Sequence, residues 1–297
     1  MQRDLWGNPL IKCGEFFVYH DESVPTKRWL LIGLLFVDSQ RQTSVEQVLR
    51  YHRYQESYTG EVHFSELPGS FGGVYGAKAR VALRWMRTYQ ETLKEDAFFT
   101  ALAVDRHSPA YEHRRFSKDF HAYNRFTAMA LRSGIAWHLG PRGFDELKLT
   151  FVSDAKDRAS RPDRDTIDNF EDYIPYRAQL DSFLAQASGK AYPRVSTKLE
   201  LRDSAEDDLL QLTDLLLGAT QEALVGSCSR RTKRHLGQIV ASWCRELKKP
   251  PWEQNPRMHR RFDLWAFPDS NGRPYREVPL ALDPGDRQLL MFPEPKR

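Results

Sequence analysis

Apolar residues in this chain fall into short unbroken runs and longer stretches of helical spacing. Phe16-Phe17-Val18-Tyr19 is a continuous apolar run that ends abruptly in His20-Asp21-Glu22. That is the pattern of a central strand emptying into a polar site. A connection with Pro25 follows, and Trp29 to Val37 predicts a second strand, close enough to pair antiparallel with the first. A helix is expected over residues 43–58, and a short extended piece at GEVHFSELPG, ended by Pro68 and Gly69. The spacing then predicts a long helix from Tyr75 to Glu95, the strand AFFTALAVD ending at Asp105, and a helix over 117–139 stopped by Gly140-Pro141. LKLTFVSD predicts a strand ending at Asp154, and the Arg- and Asp-rich residues 155–170 an exposed loop before a helix near 170–188. VSTKLELRD alternates like a strand, and Ser204 is placed to cap the helix after it. Beyond Gly226 a basic helix is expected over 230–248, then a Pro-punctuated tail with one strand-like piece, FDLWAF.

This order implies an α/β fold, a mixed sheet with helices on its faces. Three predicted strands end in an aspartate: Asp21, Asp105 and Asp154. Sites in open α/β sheets collect beyond strand carboxyl ends, so these carboxylates are candidates to converge.

A fourth joins them from DDLLQLTDLLLGA. At helical spacing Asp207, Gln211, Asp214 and Gly218 form one narrow polar stripe, and leucines cover the rest of the surface. An ionised carboxylate in apolar surroundings costs several kcal/mol unless a partner compensates it. Asp214 therefore calls for a cation, a hydrogen-bond network or a metal ion, and its stripe is expected to face an internal cleft.

Composition adds less than the distribution of charge. Net charge is only +4 over 297 residues. Between Lys198 and Glu222, however, seven acidic residues face two basic ones, and from Cys228 to Arg261 ten Lys or Arg face two Glu. An acidic pole beside a basic segment suits a site that holds cations and binds a polyanion; a solvated basic helix face is the alternative. The 12% aromatic content argues for a packed interior and against disorder. Three cysteines without CxxC spacing make no disulfide framework. There is no apolar signal-peptide core at the N-terminus, and LLIGLLFV is too short to span a bilayer, so a cytoplasmic protein away from membranes is expected.

Several carboxylates, with no glycine-rich phosphate loop and no Ser-His-Asp order, point to hard-metal chemistry, since Mg2+ and Mn2+ want oxygen ligands. Four motifs add to this reading: YHDES after a buried strand, GEVHFSEL before a long helix, LTFVSD, and RDSAEDDLLQLTDLLLGA. In this order they resemble the domain-of-unknown-function family 3800, across residues 14–226. That family looks like part of the ribonuclease H-like superfamily.

The resemblance implies a ribonuclease H-like catalytic domain over 14–226, with a basic helical C-terminal extension over 227–297. It also implies a metal-dependent nuclease that hydrolyses phosphodiester bonds of DNA or RNA through one or two Mg2+ or Mn2+ ions. Carried over, Asp21 would be the metal-bridging ligand, Asp154 and Asp214 further ligands, and Asp203 the Asp of the Asp-Ser pair. Glu22 follows Asp21 in its motif, and Glu61 with His63 match the Glu-x-His segment. Val24 stands where the motif has glycine, and Thr213 where it usually has alanine. His20, opposite in facing to Tyr19 and Asp21, reads as structural. Arg230, Arg231, Lys233 and Arg234 would contact phosphates, with Arg106, Arg114, Arg115 and Lys118 as a second basic patch. The alternatives are a catalytically inactive ribonuclease H-like nucleic-acid-binding or scaffold subunit of a defence or mobile-element system, and a structural divalent-ion site. An active chain could also depend on a partner protein that delivers its substrate.

Overall fold

Strand β1 (Cys13–Glu22) lies inside the sheet, with one neighbour from the next stretch of chain and the other from far downstream. The computed structural model describes residues 11–23, 28–93, 95–111, 119–155, 169–249, 252–253 and 261–282. The other strands are β2 (Trp29–Asp38), β3 (Ala97–Asp105), β4 (Glu146–Asp154), β5 (Arg194–Arg202) and β6 (Phe262–Phe267). They form one six-stranded mixed sheet in the order β5-β4-β1-β2-β3-β6. β2 runs antiparallel to β1 and β3, whereas β4 is parallel to β1, β5 to β4 and β6 to β3. The carboxyl ends of all strands but β2 therefore share one edge, and Asp21, Asp105 and Asp154 all stand on it.

Helices α1 (Gln42–Gln55), α2 (Ala77–Glu91), α5 (Asp208–Val225) and α6 (Arg231–Leu247) pack on one face. Helices α3 (Asp119–Gly134) and α4 (Phe170–Ala187) pack on the other. β2 divides its side chains by alternation, Leu31, Leu35 and Val37 to the first face and Leu30, Ile32, Leu34 and Phe36 to the second. Covered on both sides, it reads as an unbroken apolar run and not as alternating polar and apolar residues. Each such buried side chain contributes about 1.5–3 kcal/mol.

Four local expectations are corrected. The extended piece expected at GEVHFSELPG gives way, after the extended His63, to a 3-10 turn at Phe64–Glu66. The helix predicted from Tyr75 begins at Ala77, after a 3-10 turn at Val74–Gly76. Gly140-Pro141 does not stop α3 outright, because the chain widens into a π-turn at Ile135–Leu139 and tightens into a 3-10 turn at Gly140–Arg142. Ser204 opens a 3-10 turn of its own, and Asp207 caps α5 by accepting from the amides of Leu209 and Leu210. In the tail, FDLWAF is the sixth strand of the same sheet, with Phe262 opposite Phe99. No helix among the described residues is long and apolar enough to cross a membrane.

Candidate active site

Helix α5 builds one wall of a cleft at the carboxyl edge of the sheet. It is buried nearly all round, as its leucines require, and it ends at Gly226, whose φ of 61° suits a residue without Cβ. Its polar stripe does not face open solvent; it grips the segment around the Phe64 turn. Gln211 Oε1 accepts from the Val62 amide at 2.8 Å, and Asp214 Oδ2 from the Phe64 amide at 2.6 Å. A Cβ on Gly218 would lie 2.3 Å from Phe64 Cγ, so only glycine lets the Phe64 ring rest on the helix. Two alternate amides and one ring thus match three positions along the stripe. His63, between those amides, turns its Nδ1 to Asp214 Oδ2 at 3.0 Å.

The cost of burying Asp214 is offset by a charge-assisted backbone bond and an imidazole. The bond to Asp214 raises the His63 pKa above the usual imidazole value, against the opposing effect of burial.

Asp21, Glu61, His63, Asp154 and Asp214 line one cleft of about 80 Å³, together with Ser204 and Gln211. Its carboxylates come from the end of β1, the end of β4, the segment before the Phe64 turn and the middle of α5. Ser204 ties two of them, its amide to Asp154 Oδ1 and its hydroxyl to Glu61 Oε1, each at 3.4 Å. Gln211 holds the Ser204 turn from below, donating to the Ser204 carbonyl at 2.7 Å. Arg53, from α1, reaches Gln211 and Asp208 and stacks on Trp85. Nothing local in the α1 sequence marks Arg53 for this place.

The remaining candidates are spread more widely. Glu22 follows Asp21 on β1, points to the opposite face by alternation, and is not in the cleft wall. Asp203 is exposed and caps the 3-10 turn through the Ala205 amide at 2.9 Å. Asp105 sits two strands from Asp21 with its carboxylate gripped by Arg28, Nη2 to Oδ2 2.7 Å. His20 is buried on the α3 and α4 face, its ring tilted against Phe151 and Phe170. Of the basic candidates, Arg230 donates to the carbonyls of Ser65 and Leu67, and Lys233 to that of Ser65 at 2.7 Å. Burial lowers the Lys233 pKa. Both residues therefore stand beside the Phe64 turn, at the rim of the cleft. Arg231 and Arg234 are exposed on the first turns of α6. Arg114, Arg115 and Lys118 lie outside the described residues.

Hard divalent cations want oxygen donors, and the four carboxylates of the cleft supply that chemistry. Among the described residues, however, no three carboxylate, imidazole or thiol groups are gathered closely enough to hold an ion. One oxygen of Asp214 is also engaged by Phe64 and His63. The donor type suits Mg2+ or Mn2+, and the donor spacing is open. No protein-family model matches the chain, and no curated protein sequence matches it.

Proposed function

We propose that the chain is a divalent-metal-dependent nuclease that hydrolyses phosphodiester bonds of DNA or RNA across this cleft. The observation that carries the reading is the meeting of Asp21, Glu61, Asp154 and Asp214 with His63 in one small depression. The cleft, at about 80 Å³, is well below the roughly 300–1,000 Å³ typical of small-molecule pockets. A backbone phosphate lying across its mouth needs no such room. A mixed sheet with helices on both faces, and carboxylates on the edge where its parallel strands end, supports the ribonuclease H-like form of this proposal.

Asp21, Asp154, Glu61 and the second oxygen of Asp214 are the donors that would have to draw together to hold Mg2+ or Mn2+, since no three of them are gathered closely enough as they stand. Such an ion would supply activation of water and stabilisation of the leaving oxygen. The chain's own residues supply position and protons. Asp214 orients the His63 ring through Nδ1, which leaves Nε2 as the nitrogen that can exchange a proton with substrate. Arg230 and Lys233, beside the Phe64 turn, and Arg231 and Arg234 on the exposed start of α6, offer phosphate contacts that read no sequence.

A second reading is favoured by one observation, that Asp214 already spends an oxygen on the Phe64 amide. On it the carboxylates hold the Phe64 turn in place, and the chain is an inactive nucleic-acid-binding or scaffold subunit. The deciding experiment is cleavage of labelled single- and double-stranded DNA, RNA and RNA–DNA hybrid in Mn2+, Mg2+ and EDTA, with Asp21→Asn and Asp154→Asn beside wild type. The nuclease reading expects metal-dependent cutting lost in both variants. Cutting that survives in both would sink it, and salt-sensitive binding without cutting would favour the second reading.

A further inference from the structure

β1 and β4 run as a parallel pair up to His20 and Ser153, which form the last matched pair of their ladder. One residue further on, each strand carries a cleft carboxylate, Asp21 on β1 and Asp154 on β4. From there the strands keep to their other neighbours, β1 reaching Glu22 opposite Ile32 on β2, and β4 reaching Asp154 opposite Arg202 on β5. The separation of Asp21 from Asp154 is therefore set at the point where the backbone ladder has just run out.

A side-chain link stands at that point. His20 Nδ1 and Ser153 Oγ are 3.0 Å apart, and His20 Nε2 lies 3.3 Å from Thr127 Oγ1 on α3. His20, Ser153 and Thr127 are at most 3% exposed, and the imidazole leans on Phe151 and Phe170 at 5.4 and 5.5 Å. Both imidazole nitrogens thus have hydroxyl partners in a packed interior, where a hydrogen bond is worth more than in water. The partners of the imidazole lie on the α3 and α4 face of the sheet, while His20 itself also borders the cleft.

We infer that His20 and Ser153 are positioning residues that fix the spacing of Asp21 and Asp154 across the gap between β1 and β4. The imidazole ties the strands together at the last matched pair of the ladder, one residue before Asp21 and Asp154, and Thr127 fastens the imidazole to the helix behind it. Groups that orient metal-binding carboxylates commonly matter about 10–100-fold to affinity or rate. That consequence rests on the nuclease reading; the positioning itself does not.

The test uses the full-length protein with its aspartates labelled at the carboxyl carbon, and compares wild type with His20→Leu, His20→Asn and Ser153→Ala. The carboxamide nitrogen of Asn falls near the place of Nδ1 and keeps the bond to Ser153, while Leu fills the space and keeps neither bond. Asp105, held by Arg28 on the same sheet edge, is the internal control. We expect the Asp21 and Asp154 resonances to move in His20→Leu and Ser153→Ala while Asp105 stays, with His20→Asn close to wild type. Asp21 and Asp154 signals unchanged in a folded His20→Leu would overturn the inference. So would equal shifts of Asp105, which would mean general loosening of the fold, and Ser153→Ala meets the case in which His20→Leu does not fold. Binding of Mn2+ alone, measured on the same samples, reads the consequence: about tenfold weaker in His20→Leu and preserved in His20→Asn. Mn2+ binding that is absent even from wild type would count against the nuclease reading and leave the carboxyl signals to decide the positioning.

Discussion

His63 Nδ1 and Asp214 Oδ2 meet at 3.0 Å across 151 residues of sequence. The same oxygen takes the amide of Phe64, so a single carboxylate both orients the imidazole and anchors the turn that carries it. This double use governs how substitutions here should behave.

Asp214→Ala should cost about 1–3 kcal/mol of stability, because the Phe64 amide loses its acceptor. Asp214→Asn retains an oxygen that can accept from that amide, so most of the stability should remain while metal-dependent cleavage falls about 10–100-fold or more. Urea midpoints and cleavage rates measured on both variants separate the two roles. Equal destabilisation with unchanged cleavage would assign Asp214 to the turn alone.

The pH dependence follows from the raised pKa of His63. A folded-state value above the unfolded 6.5 means the protonated pair stabilises the fold fully below that pH. The contribution fades as pH rises through the folded value. Wild type should therefore exceed His63→Gln in stability more clearly at pH 5.5 than at pH 9, as denaturation midpoints at the two pH values will show. A constant difference would mean that the bond is made by neutral imidazole.

Gly218→Ala places a methyl group against Phe64, where a Cβ would stand 2.3 Å from Cγ. The overpacking should cost about 1–3 kcal/mol and push the Phe64 turn, with Glu61 and His63, off the helix. Loss of cleavage in a protein that still melts cooperatively is the expected result. Full activity would show that the turn has room to shift without consequence.

Gln211→Leu preserves volume but removes the acceptor of the Val62 amide and the donor to the Ser204 and Ala205 carbonyls, of which Ser204 keeps the Asp207 amide. One buried unpaired group costs about 1–3 kcal/mol, so this single surface-remote change should lower Tm more than either Arg231→Ala or Arg234→Ala. Thermal melts of the three variants test the order.

Removing the exposed arginines should act on binding instead. If Arg231 and Arg234 contact phosphates, each Ala variant should flatten the dependence of log affinity on log salt by about 0.9 on a duplex or about 0.7 on a single strand, equally for all sequences. Titrations of an unspecific duplex or single strand over a range of salt will measure this. An unchanged slope would leave the start of α6 as a solvated surface.

Most strands were legible in the sequence as apolar runs with a sharp polar end, and β5 by its alternation; β1 and β3 finish at Glu22 and at Asp105, as the pattern implies. The Phe64 turn was not, because what bends it lies on α5, where Gln211 and Asp214 take the amides that a partner strand would otherwise use. Ser204 looked like a helix cap since a hydroxyl before an acidic run usually is one. The inserted turn at Ser204–Glu206 moved that duty to Asp207 and released Ser204 to bridge Glu61 and Asp154. The place of FDLWAF had no local signal either, for its partner β3 lies far upstream. In the cleft, the carboxylates stood out as charges at abrupt apolar boundaries, whereas Arg53 acts through Gln211 and Asp208 and leaves no trace in its own neighbourhood.

The position of β1 in the sheet has a consequence for the growing polypeptide. Its hairpin partner β2 follows at once, but its other neighbour, β4, is translated only after the whole of α2, β3 and α3. A nascent chain can thus close β1, β2 and β3 into a meander early, with Asp21 at its rim and Glu61 already made but lacking the anchors that Gln211 and Asp214 give its segment. Asp154 arrives with β4, and Asp214 only with α5. A ribosome-bound intermediate would carry a folded half-sheet incapable of assembling an acidic centre, so any destructive chemistry the finished cleft performs is withheld until most of the protein has been made.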